Sequence, residues 1–229
     1  MSTFFLTKEP VFPHPSLADP DGLLAIGGDL SVTRLVTAYS RGIFPWYGPG
    51  SPILWWSPDP RLVLYPDQVH IPGSLRRVLN SGRFSITADA EFEMVIEYCS
   101  AVPRRGWSGT WLVPEMIDAF TRLHKAGLAH SFESWQGSRL VGGIYGVAMG
   151  RAFFGESMFY LEPDASKVAL VHLMHFLKEQ GFHFMDCQQT TRHMLRFGAC
   201  EVPRGKFLQN LELAVNENSV PGNWSYWAC

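Results

Sequence analysis

Between Ile43 and Arg61 the chain reads Ile-Phe-Pro-Trp-Tyr-Gly-Pro-Gly-Ser-Pro-Ile-Leu-Trp-Trp-Ser-Pro-Asp-Pro-Arg, five prolines among three tryptophans. Each proline fixes φ and removes a backbone donor, so no regular helix can cross this stretch. It must form a rigid loop or an edge strand that displays or buries indole rings. It divides the chain of 229 residues into an N-terminal unit, 1–60, and a larger α+β unit, 61–229. Within the first unit, Phe12 to Pro20 is expected to be loop, and Gly22 to Asp29 a compact glycine-rich segment. Asp29 or Ser31 is placed to cap a helix from Val32 to Arg41 that Gly42 ends.

The second unit alternates more regularly. Strands are expected over Arg61–Tyr65 and Phe84–Thr87, and helices over Ile71–Asn80, Ala90–Cys99 and Pro114–Lys125. Three strands then follow in series, Ala129–Trp135, Leu140–Ala148 and Ala152–Phe159, with turns at Gly137 and Gly150. A helix with a wide apolar stripe spans Ser166–Gln180 and stops at Gly181. The strand Phe182–Gln188 comes next, followed by a short helix, Thr191–Phe197, a strand, Cys200–Val202, and a last helix, Phe207–Val215. Meander, helix, strand, helix, strand is the order in the second half of a GNAT-like (acetyltransferase-like) fold. There two central strands splay, and the helix between them presents its N-terminus to an acyl-carrier phosphate. The Q/R-x-x-G-x-G/A signature of that phosphate site is missing, since Glu162-Pro-Asp-Ala-Ser-Lys stands in its place. An acyl-CoA donor is therefore not expected, and another acyl donor remains open.

The strand Phe-His-Phe-Met-Asp-Cys-Gln carries its only carboxylate and amide two residues apart, at its far end. Period-two alternation puts Asp186 and Gln188 on one face and Met185 and Cys187 on the other. Buried, such a pair must be hydrogen-bonded or put to use. Either it pairs with neighbouring backbone, or it belongs to a site.

Composition narrows the partners. A net charge of −2 gives no global attraction to nucleic acid or to an anionic membrane, so any polyanion must be met by a local basic patch. Aromatic residues at 14%, with eight tryptophans, supply either core mass or platforms for flat ligands such as bases. The four cysteines, Cys99, Cys187, Cys200 and Cys229, form no C-x-x-C pair, which argues against a zinc site or a disulfide scaffold and suits a reducing cytoplasm. His172 and His175 make an H-x-x-H with His183 and His193 nearby, but no acidic or cysteine partner stands at a familiar spacing, so no metal is expected. No signal peptide and no bilayer-spanning run of about 20 apolar residues is read.

Several segments together resemble the leucyl/phenylalanyl-tRNA–protein transferases of bacteria. They are Gly-Leu-Leu-Ala-Ile-Gly-Gly-Asp-Leu with Arg-Gly-Ile-Phe-Pro-Trp (22–46), Ile-Leu-Trp-Trp-Ser-Pro-Asp-Pro-Arg (53–61), and Leu-Val-Gly-Gly-Ile-Tyr-Gly-Val with Phe-Phe-Gly-Glu-Ser-Met-Phe (140–159). Asp186-Cys187-Gln188 and Leu-Arg-Phe-Gly-Ala-Cys-Glu-Val-Pro-Arg (195–204) complete the match. The resemblance implies an enzyme that moves Leu or Phe, and also Met, from its tRNA to the α-amino group of proteins beginning with Arg or Lys. That addition marks them for degradation by the N-degron route. It also implies a GNAT-like C-terminal domain behind a smaller N-terminal one, and no cofactor or metal.

Carried over residue by residue, the resemblance gives Asp186 and Gln188 as the catalytic pair and Trp46 and Trp111 as stacking residues for the terminal adenosine. It gives a side-chain pocket of Ile144, Phe153, Met158, Leu170, Leu173, Leu177 and Met185, all of which would otherwise read as core. Glu156 and Thr191 would contact the amine or the acceptor; Thr191 stands where the family usually has Asn, while His193 is kept. Glu156 alternates onto one strand face with Met158, and its other reading is an interstrand or surface ion pair. Arg76, Arg77 and Arg83 would meet tRNA phosphates, or else form a solvated helix face. Trp55 and Trp56 read as core. A monomer is expected, because the chemistry needs no second copy. Two other functions stay open on the residues alone: an acyl-CoA-dependent N-acetyltransferase, and a non-catalytic module that binds the tRNA end or an N-terminal Arg.

Overall fold

The computed structural model describes residues 3–101, 112–220 and 222–227. Two sheets organise them. The first is built by the proline-rich opening: β1 (Phe4–Leu6), β2 (Leu23–Gly27), β3 (Phe44–Pro45) and β4 (Leu54–Trp56), in the order β1-β2-β4-β3. The strands are short because prolines and glycines interrupt them. Helix α1 (Val32–Tyr39) lies between β2 and β3 and is capped by Ser31, whose hydroxyl accepts from the Arg34 N–H at 3.3 Å. The indole of Trp55 is fully buried and donates to the Gly27 carbonyl, so this tryptophan is core, as expected. Leu23–Gly27, expected only as a compact segment, is a strand because β1 pairs with it on one side and β4 on the other.

The second sheet has seven strands. Its elements run β5 (Arg61–Leu64), α2 (Gly73–Asn80), β6 (Ser85–Ala88), α3 (Phe92–Ala101), α4 (Pro114–Lys125), β7 (Ala129–Gln136), β8 (Arg139–Met149) and β9 (Ala152–Tyr160). There follow α5 (Ala165–Glu179), β10 (Phe184–Gln188), α6 (Arg192–Leu195), β11 (Cys200–Val202) and α7 (Arg204–Val215). The strand order is β11-β5-β10-β9-β8-β7-β6. Strands β6 to β9 are antiparallel, and β9 and β10 are parallel and joined through α5. This is the GNAT-like α+β arrangement expected from the element order.

Alternation along the strands divides the core between the two sheet faces. Phe154 belongs to a cluster with Tyr39, Phe92, Phe120, Tyr145 and Phe207, and Phe153 to a second cluster with the apolar stripe of α5. Central strand β8 admits α5 and β9 only because of its glycines. A Cβ at Gly142 would lie 2.6 Å from that of Ala165, and one at Gly146 would lie 2.1 Å from the Phe154 carbonyl oxygen. The chain after α7 returns to the second cluster: Trp224 is fully buried and stacks on His130 at 3.5 Å between ring centroids, nearly parallel. Its backbone N–H donates to Asp89. No helical or strand periodicity announces this packing. Among the described residues no helix is long and apolar enough to cross a membrane.

The feature that positions the site is where β9 and β10 cease to pair. Their register runs Phe184↔Ala152, Met185↔Phe153 and Asp186↔Phe154, and ends there. Strand β9 continues to Tyr160 along β8, while β10 turns away.

The Trp224 ring anchors the tail by burial and by its stack on His130, so truncating it leaves a large cavity in the second cluster. Trp224→Ala is expected to cost about 3–5 kcal/mol in urea-induced unfolding; a loss below about 1 kcal/mol would show that the tail contributes nothing to the core.

Candidate active site in the gap between two parting strands

The gap beyond the last β9–β10 pair is a cleft of about 400 Å³. One wall is Gly155, Glu156, Ser157 and Met158 of β9, with Ile144 of β8. The opposite wall is Met185, Cys187, Gln188 and Gln189, with Thr191, His193 and Met194 beyond. The N-terminal unit closes it with Phe44, Pro45 and Trp46.

Both strands are bulged where they part. On β9, Gly155 pairs with Gly146 and Ser157 with Tyr145, so Glu156 is an extra residue. On β10, Asp186 pairs with Val63 and Gln188 with Leu62, so Cys187 is extra. Gln188 itself has φ +61°, a left-handed backbone unusual for a residue with a side chain. Bulges re-aim side chains, and here they bring two polar groups together. Gln188 Nε2 donates to Glu156 Oε1 at 2.9 Å, and the Tyr39 hydroxyl donates to the same oxygen at 2.8 Å.

The bulge also corrects the expectation that Asp186 and Gln188 share a face. Period-two alternation fails across an inserted residue. Gln188 lines the cleft, whereas Asp186 is fully buried behind it. Both Asp186 oxygens accept from Arg61, Oδ1 from Nε at 2.8 Å and Oδ2 from Nη2 at 2.6 Å, and Oδ1 also accepts the Gln188 backbone N–H at 2.8 Å. Arg61 is equally buried. Its Nη1 donates to the Gly42 carbonyl, and its guanidinium lies over the rings of Phe44 and Phe207, 4.9 and 4.6 Å from their centroids.

The remaining expected residues divide. Ile144, Met158 and Met185 line the cleft, as do Trp46, Glu156 and Thr191. Phe153, Leu170, Leu173 and Leu177 do not; they are buried in the second core cluster, where α5 packs on the sheet. Their apolarity serves that packing, which correspondence by position cannot distinguish from a pocket lining. Trp111 lies outside the described residues. The Thr191 hydroxyl accepts from Met194 N–H at 3.2 Å and so caps α6, which occupies it at the helix start. Arg76 and Arg77 are exposed on α2, but Arg83 is paired with Glu162 at 3.0 Å. Tyr39 and Arg61 were not singled out by the sequence, although a charged residue heading the apolar run Arg-Leu-Val-Leu was a usable signal for Arg61.

Burial pushes the Glu156 carboxyl up to about 8, against the Tyr39 hydrogen bond that pulls it down. Burial, then the Glu156 charge, raises the Tyr39 phenol well above its usual range. Burial likewise holds the Cys187 thiol well above its ordinary value, so it is no nucleophile at neutral pH. His193 is lowered by burial and by the charges of Lys167 and Arg196. Among the described residues no three His, Cys, Asp or Glu side chains are grouped to hold a metal ion. The cleft therefore offers an oily recess, a carboxyl, a carboxamide and one indole, a set suited to placing an acyl donor against an amine.

The profile of the Leucyl/phenylalanyl-tRNA protein transferase family matches residues 63–212, and that of the Leucyl/phenylalanyl-tRNA protein transferase N-terminal domain matches residues 28–59. A leucyl/phenylalanyl-tRNA–protein transferase from Solidesulfovibrio magneticus is 58% identical over 98% of this chain and 91% of its own length. The chain belongs to the leucyl/phenylalanyl-tRNA–protein transferase family. A second relative of the same name, from Anaeromyxobacter sp. strain Fw109-5, is 55% identical over 98% of this chain and 95% of its own. Among solved structures, FemX superimposes with a TM-score of 0.50 at 9% identity, covering 79% of this chain and 71% of FemX, which is a likeness of fold. Membership makes the protein an aminoacyltransferase and sets aside acyl-CoA acetylation and a purely binding role.

The raised Glu156 carboxyl makes a prediction about stability. The folded state keeps a proton there up to about pH 8, whereas the unfolded chain releases it near pH 4.5. Folded protein thus binds more protons across this window, and stability falls as pH rises through it. Relative to Glu156→Gln, the wild-type melting temperature should decline steadily between pH 5 and pH 8; parallel profiles would mean that Glu156 is ionised throughout.

Proposed function

We propose that this enzyme transfers Leu, Phe or Met from aminoacyl-tRNA to the α-amino group of proteins beginning with Arg or Lys. The reaction takes place in the cytoplasm, in a monomer, without a cofactor, and commits the product to N-degron degradation. The observation that carries the reading is the joint placement of Ile144, Met158 and Met185 beside Glu156 and Gln188 in one cleft of a chain of this family.

The donor is an ester and the product an amide, so transfer runs downhill without a nucleotide. The acceptor nitrogen attacks the ester carbonyl carbon, the bond to the ribose oxygen breaks, and a proton moves from nitrogen to that oxygen. An α-amino group titrates near pH 8 (roughly 7.7–8.0), so about a tenth or more is already neutral and nucleophilic at pH 7 and only modest help is needed. A carboxamide is a very poor base. In this reading Gln188 orients the attacking amine by hydrogen bonds, and Glu156, protonated in the empty cleft, gives up its proton and becomes the counter-charge when an ammonium or a basic acceptor side chain enters beside it. Asp186 stands behind Gln188 and acts through it. The thioether chains of Met158 and Met185 re-pack around Leu, Phe or Met, and such a recess discriminates against a smaller residue by about 1–3 kcal/mol. Trp46 at the cleft mouth supplies a stacking surface for the terminal adenine, an interaction worth about 1–3 kcal/mol.

The direct test is transfer of labelled Leu from Leu-tRNA to a peptide beginning with Arg. The wild type should label it, and a peptide beginning with Ala should stay unlabelled. Gln188→Ala should lower transfer about 100-fold while charged tRNA still binds; binding without any labelling by the wild type would contradict the proposal. If Arg76 and Arg77 meet phosphates, replacing both by Ala should flatten the salt dependence of tRNA binding by about two units of log–log slope, and an unchanged slope would make them an ordinary solvated face.

A further inference from the structure

The bidentate ion pair behind the cleft is more tightly held than a pair that merely neutralises two buried charges requires. Asp186 has no route to an amine in the cleft unless it first leaves Arg61, because both its oxygens are taken and neither is exposed. What Asp186 does reach is the backbone N–H of Gln188. That N–H belongs to the residue with the left-handed backbone, at the end of the bulge. A glutamine adopts this conformation only when its surroundings impose it, and this hydrogen bond is the local contact that does so.

The carboxylate is in turn fixed in orientation, since the guanidinium fork meets it with two parallel bonds. The fork is fixed as well. It is flanked by the Phe44 and Phe207 rings, and its third donor is anchored on the Gly42 carbonyl. We propose that Arg61 is a positioning residue for aminoacyl transfer: it locks Asp186, Asp186 locks the left-handed backbone of Gln188, and that backbone aims the carboxamide at Glu156. The inference rests on the transferase reading above and deepens it. Two of the groups that fix Arg61, the Gly42 carbonyl and the Phe44 ring, come from the N-terminal unit, as does Tyr39, which holds Glu156 from the other side. The N-terminal unit therefore sets the geometry of the polar pair as well as closing the cleft. Lysine cannot replace Arg61, because a single ammonium does not fork onto two carboxylate oxygens while a third donor holds the Gly42 carbonyl.

A structural ion pair would have the same burial, so the test must separate the two roles. Transfer of Leu to an Arg-starting peptide is measured for the wild type, Arg61→Lys, Gln188→Ala and the double variant. Arg61→Lys should lower kcat about tenfold or more while the KM for Leu-tRNA changes less than about threefold. In the Gln188→Ala background the same substitution should change kcat by less than about twofold, because the group it positions is gone. If the losses multiply in the double variant, or if Arg61→Lys keeps full kcat, Arg61 is structural and the inference is overturned. Should Arg61→Lys fail to fold, Phe207→Leu, which removes one flanking ring, enters the same cycle with a smaller kcat loss expected and the same criterion. A wild type that transfers nothing would overturn the transferase reading together with this inference, whereas an active wild type with multiplicative losses overturns this inference alone.

Discussion

The parting of β9 from β10 after Phe154 and Asp186 is the constraint on which the site depends. Two parallel strands that stayed paired would bury Glu156 and Gln188 in a continuous ladder and leave no recess. Their separation opens a cleft in the middle of a sheet, where walls are rigid and backbone groups on the outer sides stay satisfied by β8 and β5. The two bulges then turn polar side chains into that opening. An acyl group and an amine need this combination: an oily recess for the donor side chain, with hydrogen-bonding groups fixed within reach of its carbonyl.

Fixing those groups is a matter of charge as well as shape. The buried Arg61–Asp186 pair is satisfied on both sides, so neither charge is left to seek water. Removing either partner alone would leave an uncompensated buried charge. The glycines of β8 meet a related demand, since side chains at Gly142 or Gly146 would collide with α5 or β9 and spoil the register that leads up to the gap.

How much of this was legible in the sequence follows from the kind of signal each element carries. The meander, α4 and α5 have periodicity over many residues and end at glycines, and their positions were read to within a residue or two. Strands β1 and β2 are short, and what makes them strands is pairing with distant chain, which local pattern does not encode. Asp186 departs from simple alternation for a related reason: a single inserted residue reverses the pattern, and nothing in Asp-Cys-Gln announces the bulge. Correspondence places Phe153, Leu170, Leu173 and Leu177 in the pocket with Ile144 and Met185; all six share one buried cluster, and only Ile144 and Met185 reach the open cleft, because burial and pocket lining demand the same residue types. Trp224 lies in a tail without periodicity, so its place in the core was visible only in three dimensions.

The central claim is that the donor aminoacyl group enters the gap between β9 and β10. A crystal structure with an amide-linked 3′-leucylamino-adenosine, which cannot transfer its leucine, tests it most directly. The leucyl side chain should lie among Ile144, Met158 and Met185, with its carbonyl within hydrogen-bonding reach of Gln188. Occupancy of the open groove between Tyr47–Ile53 and the start of α4, with the gap left empty, would contradict the account.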